Sequence, residues 1–315
     1  MQDFHEFSYG FRPGKNCHQA LKLVGELINL KPINHVIEAD IKGFFDNVDH
    51  EKLMELIIKR ISDKKFLRYL VRFLRSGYME SGILEETKQG TPQGGNLSPM
   101  LANIFLHYVV DEWYVKELRP KIKGQSYLVR YCDDFIILMQ YQEEAKIVRE
   151  QLQERLKAYG LELNAEKSGV KSFGKYEREN AQRQNRKANT FDFLGFTHYC
   201  TASRQGKFKV GRMTSAKKFR KSCKNIYDWI KTIRNIISLK EIWKSLAARI
   251  RGHYQYYGVS ENSRKIQEFY YQVVHMVYKI LNRRSQKKSF NWKEFSRYLK
   301  QFPLPQPRIV HSFYT

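Results

Sequence analysis

Apolar positions recur at helical spacing over residues 17–30, where Ala20, Leu23, Leu27 and Leu30 fall on one side. The period then changes. From His35 to Ile41 the chain alternates, with Ile37, Ala39 and Ile41 on one face and Val36, Glu38 and Asp40 on the other, which predicts a strand. Helical spacing returns over 50–75 and again over 98–118. The second of these opens with Ser98 at the N-cap position and Pro99 at the first helical position, where the missing N–H has no helical partner to lose. Residues 127–138 are two apolar runs around Asp133-Asp134, the pattern of a hairpin. A helix follows over 142–159, and the polar run 171–190 reads as an exposed loop or extended hairpin. Beyond about residue 213 every segment is helical. Ser238 and Glu241 have the spacing of a capping box, and Trp243, Leu246, Ile250, Tyr254 and Tyr257 form the stripe behind it. Asn262 caps the next helix, which runs to about Arg284, and a short helix covers 292–301 before Pro303, Pro305 and Pro307 end regular structure. Helices and strands interleave without strict βαβ repetition, so the fold class is α+β with an all-helical C-terminal part.

Charge divides the chain more sharply than pattern does. Residues 1–170 hold 24 basic and 24 acidic side chains, whereas residues 171–315 hold 32 and 8, so the whole excess of +24 lies in the second part. Such a lopsided basic surface implies a polyanionic partner, and a solvated surface is the bland alternative. No run approaches the roughly 18 apolar residues of a membrane helix, and the first residues lack the basic-then-apolar order of a secretory signal. Cys17, Cys132, Cys200 and Cys223 stand far apart, which argues against a disulfide scaffold and a cysteine zinc site and for a reducing cytoplasm.

The chemistry is expected where strands end in carboxylates. Asp40 closes an apolar strand, and Asp133 and Asp134 sit at a hairpin tip. A carboxylate among apolar residues is costly unless it is paired or binds a cation, and like charges brought together invite a divalent metal. Three carboxylates from two strand ends suit two Mg²⁺ ions, the arrangement used for phosphoryl transfer. Ordinary turn chemistry is the alternative for an Asp-Asp pair.

Read in order, these segments resemble the reverse transcriptases encoded by bacterial group II introns. Residues 7–14 (FSYGFRPG) are similar to that family's second block and residues 40–50 to polymerase motif A. Residues 90–99 (GTPQGGNLSP) resemble motif B, residues 131–134 (YCDD) are the Y-x-D-D box, residues 161–168 (LELNAEKS) resemble motif D, and residues 191–196 (FDFLGF) resemble the primer grip. The tail around residues 249–257 resembles the maturase or thumb region.

The resemblance implies a right-hand polymerase palm over 36–212, partial fingers over 1–35, and an all-helical thumb/maturase domain over 213–315. It implies RNA-directed DNA synthesis by two-metal nucleotidyl transfer in the bacterial cytoplasm, with help to intron splicing. The partners implied are group II intron RNA, an RNA template with a DNA primer, and dNTPs. Asp40, Asp133 and Asp134, with the Ile41 carbonyl, match the ligands of two Mg²⁺ ions, and Lys167 matches a general acid for the leaving pyrophosphate. Phe45 matches the steric gate against a ribose 2′-hydroxyl. Gln93 and Gly94 match residues beside the incoming nucleotide, and Arg12 matches a phosphate contact. Phe193, Leu194 and Gly195 match the primer grip, and Lys217, Lys218, Arg220, Lys221, Arg249 and Arg251 are the expected RNA contacts. Isolated histidines such as His107, His198 and His275 show no ligand spacing and read as structural. Members of the family carry further blocks upstream of residues 7–14, so the chain is expected to be a fragment or the product of a shortened gene. Two other readings stay open: a splicing factor that keeps the palm as a scaffold, and a reverse transcriptase adopted by a host.

Overall fold

A computed structural model describes residues 4–75, 78–80, 83–85, 90, 97–283 and 291–313. The chain divides into two compact units, one formed by Met1–Leu194 with Tyr199–Val210 and the other by Gly195–His198 with Gly211–Thr315.

In the first unit, α1 (Cys17–Leu30) starts at Asn16, whose side chain accepts from the Gln19 N–H while the Gln19 side chain accepts from the Asn16 N–H. This reciprocal cap fixes the start of a helix that lies against the sheet. Strand β1 (His35–Ala39) leads through a short 3₁₀ turn, Phe44–Asp46, to α2 (His50–Ile58) and α3 (Lys64–Arg75). The single helix expected over 50–75 is therefore two. Asp63 accepts from the N–H groups of Lys65 (2.8 Å) and Phe66 (3.1 Å), so it starts a second helix rather than continuing the first. Short strands β2 (Tyr78–Glu80) and β3 (Ile83–Glu85) pair with each other. Helix α4 (Ser98–Leu106) has Leu97, not Ser98, at its cap position, with proline in the first turn as expected. It runs on into two π-helical turns, His107–Asp111 and Tyr114–Leu118.

The sheet completes the unit. Strands β4 (Ser126–Tyr131) and β5 (Asp134–Met139) form the expected hairpin, α5 (Gln142–Ala158) follows, and β6 (Gly169–Ser172) returns to the sheet. The order is β4-β5-β1-β6, antiparallel throughout. One face of β1, with Ile37, Ala39 and Ile41, joins a core with Phe105, Val109, Leu152 and Leu156. The other face is covered as well, since Val36, Ile136 and Leu138 are fully buried. A strand buried on both faces has no need to alternate, which is why residues 135–139 read as a continuous apolar run.

The polar run 171–190 is not a loop. It ends β6 and forms α6 (Glu177–Arg183), because the buried Glu177 carboxylate is held by Arg186 (2.5 Å) and the Asn189 N–H (2.8 Å). Strands β7 (Thr190–Phe193), β8 (Phe196–Ala202) and β9 (Phe208–Thr214) follow as a three-stranded sheet.

The second unit is helical beyond β9. Helices α7 (Ala216–Ile233), α8 (Leu239–Tyr257), α9 (Ser263–Leu281) and α10 (Trp292–Gln301) surround one core. The Ser238–Glu241 capping box forms as read from sequence. Trp243, Leu246, Ile250 and Tyr254 are buried on the predicted stripe. Asn262 precedes α9 but makes no side-chain cap. Its amide instead accepts from the Thr214 N–H and donates to the Thr214 hydroxyl and Tyr257 carbonyl, each at 2.8 Å, a tertiary clamp in place of a cap.

Candidate polymerase site

The ends of β1, β4 and β5 bring three carboxylates to one edge of the sheet. Ala39 pairs with Phe135, so one step further along the antiparallel register Asp40 comes level with Asp134. Tyr131 pairs with Asp134, which leaves Cys132 and Asp133 as a two-residue loop. Cys132 has φ +57, a backbone conformation disfavoured for a residue with a side chain, and such strain is typical of functional turns. Burial pushes the Asp133 carboxyl above the usual range, and the Asp40 charge adds to the effect. A group whose ionisation is opposed by burial and by a neighbouring carboxylate is one that a cation would relieve, so the donor set fits a hard divalent ion such as Mg²⁺.

Asp40 is fixed through its backbone. Its N–H donates to the Ser168 hydroxyl (3.1 Å), and its carbonyl accepts from the Asn164 N–H (2.8 Å). Ile41 forms an isolated antiparallel bridge with Leu163. Lys167 reaches the Asp40 carboxylate at 2.8 Å, with the two side chains 54% and 46% exposed. Lys167 is therefore ion-paired with a carboxylate of the cluster, at a solvent-accessible point.

The turn between β7 and β8 meets the same edge. Leu194 and Gly195 link β7 to β8 with φ values of +49 and +78, the positive pair a tight hairpin turn requires. That geometry aims the Leu194 N–H at the Asp134 carboxylate, which accepts at 3.0 Å. Phe193 is buried beneath it. Glu38, buried one strand residue short of Ala39, accepts from the Asp192 N–H (2.7 Å) and pairs with Lys171 (2.5 Å), and burial raises its carboxyl above the usual range.

Phe45 lies half-buried against the core, edge-on to Phe44 with ring centroids 5.3 Å apart. Gly90 has φ +90 and sits against the backbone of Asp46, where a Cβ would come within 3.0 Å of the carbonyl oxygen. Gln93 and Gly94 lie outside the described residues. Arg12 donates to the carbonyls of His5 (2.6 Å) and Ser8 (2.7 Å), which knits the 7–14 block together.

Behind the Asp133 loop is a network that sequence reasoning missed. Arg130 is fully buried. It forms a two-pronged ion pair with Asp111 and donates to the Asn103 side chain (2.7 Å), the Ser8 hydroxyl (2.8 Å) and the Cys132 carbonyl (3.1 Å). Burial alone would raise the Asp111 carboxyl, but Arg130 and His107 hold it below the usual range. A buried arginine with this many partners locks the turn it touches. Gly10 packs directly on that turn, and a Cβ there would lie 2.5 Å from the Cys132 nitrogen. The available signal was a lone arginine in the apolar run 126–132 and a lone aspartate in an apolar helix.

In the second unit, the α7 stripe Phe219, Cys223, Ile226 and Ile230 faces the core and leaves Lys217, Lys218, Arg220 and Lys221 exposed. Arg251 is exposed, and the exposed Arg249 guanidinium stacks 4.3 Å over the Trp229 ring. Among the described residues no helix is long and apolar enough to cross a membrane. All four cysteines are free thiols.

Comparison with known proteins supplies the context. Residues 1–198 match the family described as reverse transcriptase (RNA-dependent DNA polymerase). The group II intron-encoded protein LtrA of Lactococcus lactis subsp. cremoris is 42% identical over 123 residues, covering 39% of this chain and 20% of that relative. An uncharacterized 91 kDa protein in the cob intron of Schizosaccharomyces pombe is 37% identical over 127 residues, covering 40% and 15%. Protein YkfC of Escherichia coli K12 is 30% identical over 200 residues, covering 53% and 52%. These matches thus span 15% to 52% of the length of the relatives, which come from bacteria and a fungus alike. Among solved structures, apo telomerase from Candida tropicalis aligns with a TM-score of 0.49 and 18% identity over 94% of this chain and 49% of that one.

Proposed function

The chain belongs to the reverse transcriptase (RNA-dependent DNA polymerase) family, and on that premise we propose that it synthesises DNA on an RNA template for a group II intron, binding that intron's RNA and assisting its splicing. The observation that carries the reading is the convergence of Asp40, Asp133 and Asp134 on one sheet edge, with the Leu194 N–H on Asp134. Asp40, Asp133, Asp134 and the Ile41 carbonyl would hold two Mg²⁺ ions, which when bound activate the primer 3′-hydroxyl and neutralise the leaving pyrophosphate.

The chain's own groups do the rest. Phe45 walls off a ribose 2′-hydroxyl and so favours dNTPs. Gln93 and Gly94 flank the incoming nucleotide, and Arg12 contacts phosphate. Lys167, which pairs with Asp40 at 2.8 Å, gives a proton to the leaving pyrophosphate. Phe193, Leu194 and Gly195 seat the primer end. Residues 1–35 serve as fingers, 36–212 as palm and 213–315 as an RNA-binding thumb, with Lys217, Lys218, Arg220, Lys221, Arg249 and Arg251 on phosphates. Free thiols and the lack of a membrane-spanning helix among the described residues are compatible with work in the bacterial cytoplasm.

The test is primer extension on an RNA template with dNTPs and Mg²⁺. Asp133→Asn should slow extension about a thousandfold, since several kcal/mol of charge stabilisation are lost, while RNA affinity stays within a factor of two. Extension at the parental rate would overturn the assignment.

A further inference from the structure

On the far side of the Asp111–Arg130 pair, two imidazoles and a carboxylate meet. His5 lies in the N-terminal segment, His107 opens the first π-helical turn, and Glu112 follows that turn. One ligand atom from each lies within 4.8 Å of the other two. The Glu112 Oε1 atom is central, 2.8 Å from His5 Nε2 and 3.8 Å from His107 Nε2. We propose that His5, His107 and Glu112 bind a zinc-class divalent cation, separate from the carboxylate site for Mg²⁺.

Three observations support it. The spacing is right: around a tetrahedral zinc with bonds of about 2.0–2.1 Å, neighbouring ligand atoms lie about 3.3 Å apart, between the two separations seen here. An outer partner is also near. His107 Nδ1 is buried without a hydrogen-bond partner, and Asp111 Oδ2 lies 3.5 Å from it, the kind of group to which a metal-binding histidine gives its other ring nitrogen, while Nε2 faces Glu112. Lys116 neutralises the other Glu112 oxygen, Oε2, and leaves Oε1 to the imidazoles. The backbone is unusual at the same point, since π-helical turns are rare and gather at functional sites.

The site is shaped for access and for discrimination. His107 is 8% exposed, Glu112 19% and His5 27%, so the ligands are largely enclosed while one side opens to solvent, where a water can complete the coordination. Two imidazole nitrogens favour zinc and its late first-row neighbours over Mg²⁺, which prefers an all-oxygen shell. The cation would be structural. It would clip the segment carrying Ser8 and Gly10 to the helix carrying Asp111, the partners that brace the Asp133 loop.

The experiment uses the full chain, stripped with a chelator and titrated with Zn²⁺ by calorimetry in excess Mg²⁺. One equivalent should bind, raising Tm. His5→Gln and Glu112→Gln should each weaken this binding at least tenfold and abolish the Tm gain, while Asp133→Asn binds zinc as the parent does. Replacement by Co²⁺ gives a second readout that does not depend on stability, the intense visible absorption of a tetrahedral site, absent in His5→Gln. Failure to take up zinc in excess Mg²⁺, or uptake that survives both substitutions, would overturn the proposal and leave an ordinary His–Glu hydrogen-bonded cluster.

Discussion

Phe45 carries the sharpest consequence at the scale of one side chain. Its ring is half-buried, so it contributes packing and still leaves a surface uncovered. If that surface is the wall against a 2′-hydroxyl, Phe45→Ala should raise ribonucleotide incorporation relative to dNTP about tenfold, roughly the 1.4 kcal/mol a lost steric contact represents. Single-nucleotide extension with each substrate measures it, and unchanged selectivity would return Phe45 to packing alone. Asp40, Asp133 and Asp134 were legible because charges in apolar strand ends stand out against their neighbours. Arg130 was equally visible, but its partners were not. Ser8 lies 122 residues away, and Asn103 and Asp111 lie 27 and 19 residues away on the preceding helix, so no local pattern joins them to Arg130 and the Cys132 carbonyl.

Gly10 and the Asp133 loop show how one element constrains another. Gly10→Ala would set a Cβ 2.5 Å from the Cys132 nitrogen, a contact with backbone that cannot rotate away. It should cost about 1–3 kcal/mol of stability by overpacking and lower extension activity more than RNA affinity. Thermal unfolding and kinetics together check this, and a fully active, equally stable variant would show that the loop yields. In the second unit, His253 on α8 stacks on Phe269 of α9 with ring centroids 3.5 Å apart. Burial pushes its pKa down to about 4. The unfolded chain then binds a proton that the folded one refuses, so this residue's stability is fully present above about pH 6.5. It falls by on the order of 3 kcal/mol as pH drops toward 4. His253→Phe should flatten the stability-versus-pH curve in that window, read by denaturant midpoints. Most elements followed from periodicity, and the misses have physical reasons. Asp63 restarts a helix inside an unbroken apolar pattern. A buried Glu177 carboxylate paired with a half-exposed Arg186 orders a segment whose composition reads as solvent.

Over the whole molecule, charge follows the two parts of the sequence. The balanced 170 residues carry the carboxylate site, and the later +24 includes the exposed cations of α7. RNA affinity should therefore fall steeply with salt, at roughly 0.7–0.9 log units per log salt for each phosphate contact. Changing Lys217, Lys218, Arg220 and Lys221 together to Gln should reduce that slope by up to about 3. Filter binding across a salt series measures it, and a slope that does not change would assign those lysines to mere solubility. The match over residues 1–198 ends close to where the second unit's main segment begins, so family membership speaks for the carboxylate site while the case for the basic helices rests on their own chemistry.

The bond from the Leu194 amide to Asp134 turns one backbone nitrogen into a gauge of the carboxylate cluster. An amide proton resting on a carboxylate oxygen senses how much negative charge that oxygen still shares. Selective isotopic labelling of leucine nitrogen would make the gauge readable by magnetic resonance. Its frequency and its rate of deuterium exchange would then follow events at Asp134 without altering any atom that takes part in them.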